Sequence, residues 1–167
     1  MKRSILQILG VAAVATIGMV SCNVDACKDV ECGDNGICVE GVCICDAGYE
    51  GADCATLSAE KFEGDYQLNE ADCNLQNYNT SIAASKSGAD KIAITGFGGF
   101  ACGASDIVVI ATVSGDDVTI ASQSFCDGSI VINSGSGSID ENGIITITYN
   151  STWNLVTSDC TAVFTAK

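Results

Sequence analysis

Residues 27–54 read CKDVECGDNGICVEGVCICDAGYEGADC and hold six cysteines in twenty-eight positions. A segment this short cannot bury a core of its own. Such a density therefore implies disulfides or a metal as staples. The gaps between successive cysteines are four, five, four, one and eight residues. Structural zinc sites favour paired Cys-x-x-Cys spacings, often with histidine. The run has no such pair, and the chain has no histidine. Disulfides are the reading, and spacing alone leaves fifteen connectivities open to six cysteines.

The end of the run is more specific. It reads Cys43-x-Cys45-x-x-Gly48-Tyr49-x-Gly51-x-x-Cys54, preceded by Asn35-Gly36. This pattern resembles an EGF-like module, most closely the short repeats of tenascin-type adhesion proteins. The resemblance implies the pairs Cys27–Cys38, Cys32–Cys43 and Cys45–Cys54. It also raises the question of calcium. Calcium-binding members of that family carry an acidic or amide motif before the first cysteine, ending in Glu. Here Ala26 fills the Glu position, and only Asn23, Asp25 and Glu40 stand near family ligand positions. Calcium takes six to eight oxygens, so no metal is expected, and a calcium-binding module ranks last among the readings.

The start of the chain predicts export. Lys2 and Arg3 precede an apolar run over residues 5–20, short for a membrane-spanning helix. It ends in Met19-Val20-Ser21-Cys22, which resembles the lipobox of bacterial lipoproteins, with Met where Leu is usual. Cysteine parity agrees. Of eleven cysteines, ten can pair once Cys22 is set aside, and an odd cysteine in an exported chain needs an explanation. Attachment of acyl chains such as palmitate at Cys22 supplies one. The expected division is a signal peptide (1–21), a tether (22–26), the cysteine-rich module (27–54), a linker (55–61) and a second domain (62–167). The expected address is the cell envelope, lipid-anchored at the outer membrane or cell surface.

The formal net charge of −14 becomes more negative when Lys2 and Arg3 are removed. So acidic a chain repels nucleic acid and anionic lipid surfaces. Nucleic acid is excluded as a partner. The partners left open are the membrane through Cys22 and a protein, glycan or small apolar ligand.

Residues 62–167 lack proline and are rich in Thr, Ser, Ile and Val, with glycine at intervals. The texture predicts eight strands, over 62–71, 78–85, 91–96, 105–113, 118–124, 129–139, 144–150 and 160–166. Asn142-Gly143 suits a tight hairpin. Alternation is visible: Phe62, Gly64, Tyr66 and Leu68 share one face, and Ile145, Ile147 and Tyr149 share another. Beyond the signal, no stretch has helical periodicity. Eight short antiparallel strands predict an up-and-down barrel, with a β-sandwich as the alternative. Phe62-x-Gly64-x-Tyr66 resembles the first strand of lipocalin-like barrels, with Tyr in place of Trp, and the domain resembles the small lipocalin-like domains of bacterial lipoproteins. Ser134-Gly135-Ser136-Gly137-Ser138 reads as a bent strand interior.

Barrel topology predicts two further bridges. Strand alternation gathers Cys73, Cys102, Cys126 and Cys160 at one rim. Closure brings the first and last strands together, hence Cys73–Cys160, which leaves Cys102–Cys126.

Chemistry is sparse. Without histidine there is no Ser-His or Cys-His pair. Oxidised cysteines are not nucleophiles. The carboxylate pairs Glu63 with Asp65 and Glu70 with Asp72 are placed as solvated surface acids. No cofactor and no catalytic residue are expected, and the chain is read as a non-enzyme. The leading function is a membrane-anchored, extracytoplasmic binding or adhesion module. The alternative is a carrier of a small apolar ligand inside the barrel, with Phe62, Tyr66, Ile94, Ile120, Ile147, Tyr149 and Phe164 as lining.

Overall fold

A computed structural model describes residues 25–70, 73 and 77–167. The signal peptide, Cys22 and Asn23 lie outside the described residues, as does Asp72.

The cysteine-rich module is built on a hairpin of β1 (Gly36–Val39) and β2 (Val42–Cys45), in register from Gly36↔Cys45 to Val39↔Val42. Its two-residue turn is Glu40-Gly41, with φ of 51° and 86°. Two left-handed residues make the turn whose twist matches that of the strands. Three bridges staple it: Cys27–Cys38, Cys32–Cys43 and Cys45–Cys54, with Cα separations of 5.8, 5.3 and 5.2 Å.

The segment read as a linker is ordered. Its Thr56–Leu57 (β4) pairs with Tyr49–Glu50 (β3) of the module. A 3₁₀ helix, Ser58–Phe62, follows at once and buries Ser58, Ala59 and Phe62. The first barrel strand therefore starts at Gly64 and not at Phe62, because Phe62 turns in to help fill the barrel end.

The second domain is a closed, eight-stranded antiparallel barrel. Its strands are β5 (Gly64–Glu70), β6 (Tyr78–Ala84), β7 (Lys91–Thr95), β10 (Val108–Ser114), the interrupted pair β11 (Asp117–Ile120) and β12 (Gln123–Phe125), β13 (Ile130–Ile139), β14 (Ile145–Trp153) and β15 (Val156–Ala166). A small hairpin of β8 (Ala101–Cys102) and β9 (Ser105–Asp106) stands in the loop before β10. Sequential neighbours pair, and the seam closes from Ala162↔Glu70 to Ala166↔Tyr66 between β15 and β5. That seam excludes the sandwich.

Other strand expectations shift as well. The expected strand 118–124 breaks at Ala121-Ser122, opposite a bulge between Ile132 and Ser134 in β13. The Gln123 side chain spans the break: its amide nitrogen donates to the Ile110 carbonyl at 2.8 Å, and its oxygen accepts from the Ile110 N–H at 2.9 Å. The expected strand 105–113 yields its start to the β8–β9 hairpin. The last strand begins at Val156, because the turn at Asn154-Leu155 leaves no loop.

The interior is packed. Phe62, Leu68, Phe97, Ile94, Ile147 and Phe164 are completely buried. Each such side chain stabilises by roughly 1.5–3 kcal/mol through removal from water. The outer wall carries Thr146, Thr148, Asn150, Gln67 and Asn69. A transmembrane barrel has the reverse pattern, apolar outside and polar within, so this barrel is folded for water.

Turns β6–β7, β10–β11 and β13–β14 share the rim next to the module. At that rim Lys61 bridges Glu50 of the module (2.9 Å) and Asp116 of the barrel (2.7 Å). The ends of β5, β7, β12 and β14 mark the opposite rim. Cys73 is bonded to Cys160 there, and Cys102 to Cys126, with Cα separations of 5.7 and 5.3 Å. By chain-entropy reasoning these bridges are worth about 3–5 kcal/mol each, the 87-residue separation more than the 24-residue one.

Candidate functional site

The rim opposite the module opens into a cleft of about 410 Å³. Its floor follows from strand alternation in β5. Tyr66 and Leu68 point inward, so Glu70 does too, and its carboxyl is fully buried. The expectation of a solvated acid is corrected here: the inward period of the strand outweighs the cost of burying a polar group.

Two phenols meet that carboxyl. Tyr149, inward on β14, donates to Glu70 Oε1 at 2.6 Å, and Tyr78, at the start of β6, donates to the same oxygen at 3.0 Å. Oε2 is buried and has no hydrogen-bond partner among the described residues. Leaving such an atom unmet costs about 1–3 kcal/mol. Burial pushes the Glu70 carboxyl above its ordinary value, against the pull of the Tyr149 and Tyr78 hydrogen bonds. Burial, together with the adjacent carboxylate, raises both phenols far above their ordinary value. The phenols are thus fixed as donors throughout the working pH range.

The walls are aromatic and aliphatic. Phe97 folds in from the loop after β7, and its ring lies 4.6 Å from that of Tyr149. Gly98 follows, with φ +65°. A Cβ there would collide with the Phe100 ring and crowd the Tyr149 hydroxyl at 3.1 Å. Glycine is what lets the loop pass so close to the phenol. Phe100 and Trp153, with ring centroids 6.3 Å apart, and the Cys73–Cys160 bridge also line the cleft. Ser151, Ser158 and Asn154 supply neutral polar atoms, and Val156 forms part of the lip.

Of the seven expected lining residues, only Tyr149 reaches the cleft. Phe62, Tyr66, Ile94, Ile120, Ile147 and Phe164 are packed core. Glu70, Phe100 and Trp153 line the cleft in their place. Extending the Tyr66, Leu68 period by one step places Glu70 inward. Trp153, the chain's only tryptophan, fell between expected strands.

The arrangement can hold a ligand between aromatic faces and offer it one buried carboxyl oxygen. Among the described residues, no second acid and no basic residue lines the cleft beside Ser151 and Ser158, and no group of His, Cys, Asp or Glu is gathered as a metal site. Asp25 instead accepts a hydrogen bond from the Cys27 N–H at 3.1 Å, and Glu40 sits in the hairpin turn.

Comparison with known families bears on the cysteine-rich segment. The model of the EGF-like domain matches residues 27–54. This segment is an EGF-like module. No curated protein matches the chain. Among solved structures, the crystal structure of a "putative outer membrane protein" from Bacteroides fragilis NCTC 9343 aligns at 17% identity with a TM-score of 0.41. The alignment covers 66% of this chain and 52% of that one, about half of its length. A likeness this slight carries no functional argument. The EGF-like module and the bridged barrel together need an oxidising compartment, which fits the cell envelope or surface. Their chemistry fits a surface or binding role.

Proposed function

We propose that this is a lipid-anchored, extracytoplasmic binding protein, non-catalytic, that takes a small ligand into the cleft at the rim of the barrel. The observation that carries the reading is Glu70: a buried carboxyl oxygen without a partner among the described residues, in the lining of an aromatic cleft. Acylated Cys22 is the anchor, and the EGF-like module is the spacer between membrane and barrel. The cleft then faces away from the membrane. The filled interior favours a shallow site over a deep carrier cavity.

The site is tested by native mass spectrometry of the full chain purified from membranes. Wild type should carry a small molecule that Ser151→Phe, which fills the cleft, has lost. An empty wild type, or equal loading of the two, would count against the cleft. The anchor is tested by labelled palmitate, which should enter wild type and not Cys22→Ala.

A second reading rests on the module. Ile37, Val39, Val42 and Ile44 are all exposed, and the register sets Ile37 opposite Ile44 and Val39 opposite Val42. One apolar strip of this kind on a small module suits an adhesive contact with a protein. A photo-crosslinking residue at position 44 in intact cells should capture a protein partner, and silence there would remove this reading.

A further inference from the structure

From the oxygen of Glu70 that has no partner among the described residues, the aromatic walls and the lack of a basic residue among the described lining, we infer that the cleft selects an organic cation: an ammonium group on an apolar or aromatic body. The inference rests on the cleft being the binding site and adds the chemistry of what binds.

The oxygen to be satisfied is Glu70 Oε2. Its neighbour Oε1 already takes both phenol hydrogen bonds, so Oε2 is the carboxyl oxygen left for a ligand to engage. An ammonium N–H would form a charge-assisted bond there, roughly twice as strong as a neutral one. Its remaining N–H groups have Ser151 and Ser158 hydroxyls among the lining to bond to. Phe100, Tyr149 and Trp153 turn aromatic surface to the same space, and cations favour aromatic faces, by about 2 kcal/mol when desolvated. The long-range field points the same way, because a net charge of −14 draws cations in.

Other classes fit less well. An anion would meet a carboxyl and, among the described residues, no Lys or Arg. A hard metal ion needs more oxygens than one carboxyl and neutral hydroxyls provide. A sugar spreads its hydroxyls around a ring, whereas the acidic oxygen here is single and much of the lining is Phe100, Trp153 and a disulfide. The body attached to the ammonium would lie along Trp153 and Val156 at the lip, both largely exposed, at 55% and 66%.

The groups facing Glu70 are few. Tyr78 and Tyr149 face it from β6 and β14, and β15 presents only Ser158 and Cys160. Asp159 points outward, where it accepts from Asn150 at 2.6 Å. Among the described residues the carboxyl, which burial holds above its ordinary value, is therefore the one acid in the cleft. Cation binding should strengthen as the pH rises through its titration.

Trp153 is the reporter. The full chain is titrated at neutral pH with 2-phenylethylamine, 2-phenylethanol, 3-phenylpropionate and methyl glucoside, while Trp153 emission is read. The amine should bind at least about tenfold more tightly than the alcohol, and the anion and glucoside should not compete. Glu70→Gln should bring the amine down to the alcohol. Should that variant fail to fold, wild type alone decides: amine affinity must rise from pH 4 to 7 while alcohol affinity stays flat. An alcohol or glucoside that matches the amine, a preference retained in Glu70→Gln, or a flat amine profile overturns the inference and leaves the cleft standing. If none of the four perturbs Trp153 at millimolar concentration, the cleft itself is wrong.

Discussion

At the scale of single residues, Glu70 sets both a cost and a pH dependence. Its carboxyl has an ordinary value of 4.5, and burial raises it in the folded chain despite the Tyr149 and Tyr78 hydrogen bonds. The native state therefore keeps this proton to higher pH than the unfolded chain does. The stability it contributes is complete below about pH 4.5 and is lost as the pH rises through the raised value. Glu70→Gln removes the titration and keeps the shape. The expected outcome is that the urea midpoint of wild type, measured relative to that of Glu70→Gln, falls between pH 4 and pH 7. A constant difference would mean that the carboxyl titrates as an exposed acid, against its burial. The same residue marks a limit of local reading. Glu70 and Asp72 looked like solvated acids because acids on strands usually are. The alternation that puts Tyr66 and Leu68 inside carries Glu70 in with them.

At the scale of elements, the β14–β15 hairpin shows how local strain borders the cleft. Its turn is Asn154-Leu155, with φ of 48° and 67°, and Leu155 is 98% exposed. Left-handed backbone costs a leucine about 1–2 kcal/mol, and a primed turn prefers glycine in its second position. Leu155→Gly should therefore stabilise the chain by about 1 kcal/mol in urea unfolding. If Leu155 also covers bound ligand, affinity at the cleft should drop in the same variant. A variant no more stable than wild type would show that left-handed backbone carries no such cost at this turn. The hairpin also explains what the sequence made legible. Strands with clean alternation, such as Ile145, Ile147 and Tyr149, could be placed from pattern alone. Rim parity grouped the four barrel cysteines, since direction alternates strand by strand. Residues 150–156 have no period, so the tight turn and the position of Trp153 were hidden. The break at Ala121-Ser122 was hidden too, because Gln123 replaces backbone pairing with its side-chain amide. In the β13 glycines, curvature was legible but not its reason: a Cβ on Gly137 would overlap the Thr146 carbonyl of β14.

At the scale of the whole molecule, the module and the barrel are joined by a short ordered junction. The Ser58 N–H donates to the Gly48 carbonyl at 2.9 Å, β3 pairs with β4, and the next residues are already buried in the barrel end. Gly48, at φ +88°, lies against the backbone of Ala89 and Asp90 in the β6–β7 turn, where a Cβ would come within 2.5 Å. Backbone on both sides leaves no side chain to swing away. The Lys61 ion pairs are a smaller part of the junction. Lys61 loses some solvation, yet its hydrogen bonds to Asp116 and Glu50 hold its amine above the ordinary value. With Asp116 largely exposed, the pairs together are worth about 1 kcal/mol or less. Lys61→Met should therefore leave the module docked, whereas Gly48→Ala should push it off the β6–β7 turn. Small-angle scattering of the full mature chain reads the difference as a larger radius of gyration for Gly48→Ala alone. Trp153 emission, at the far rim, should be the same in all three proteins. An unchanged scattering profile for Gly48→Ala would mean that the module is held by the β3–β4 pairing without help from the turn. Expansion in Lys61→Met would give the ion pairs the larger share.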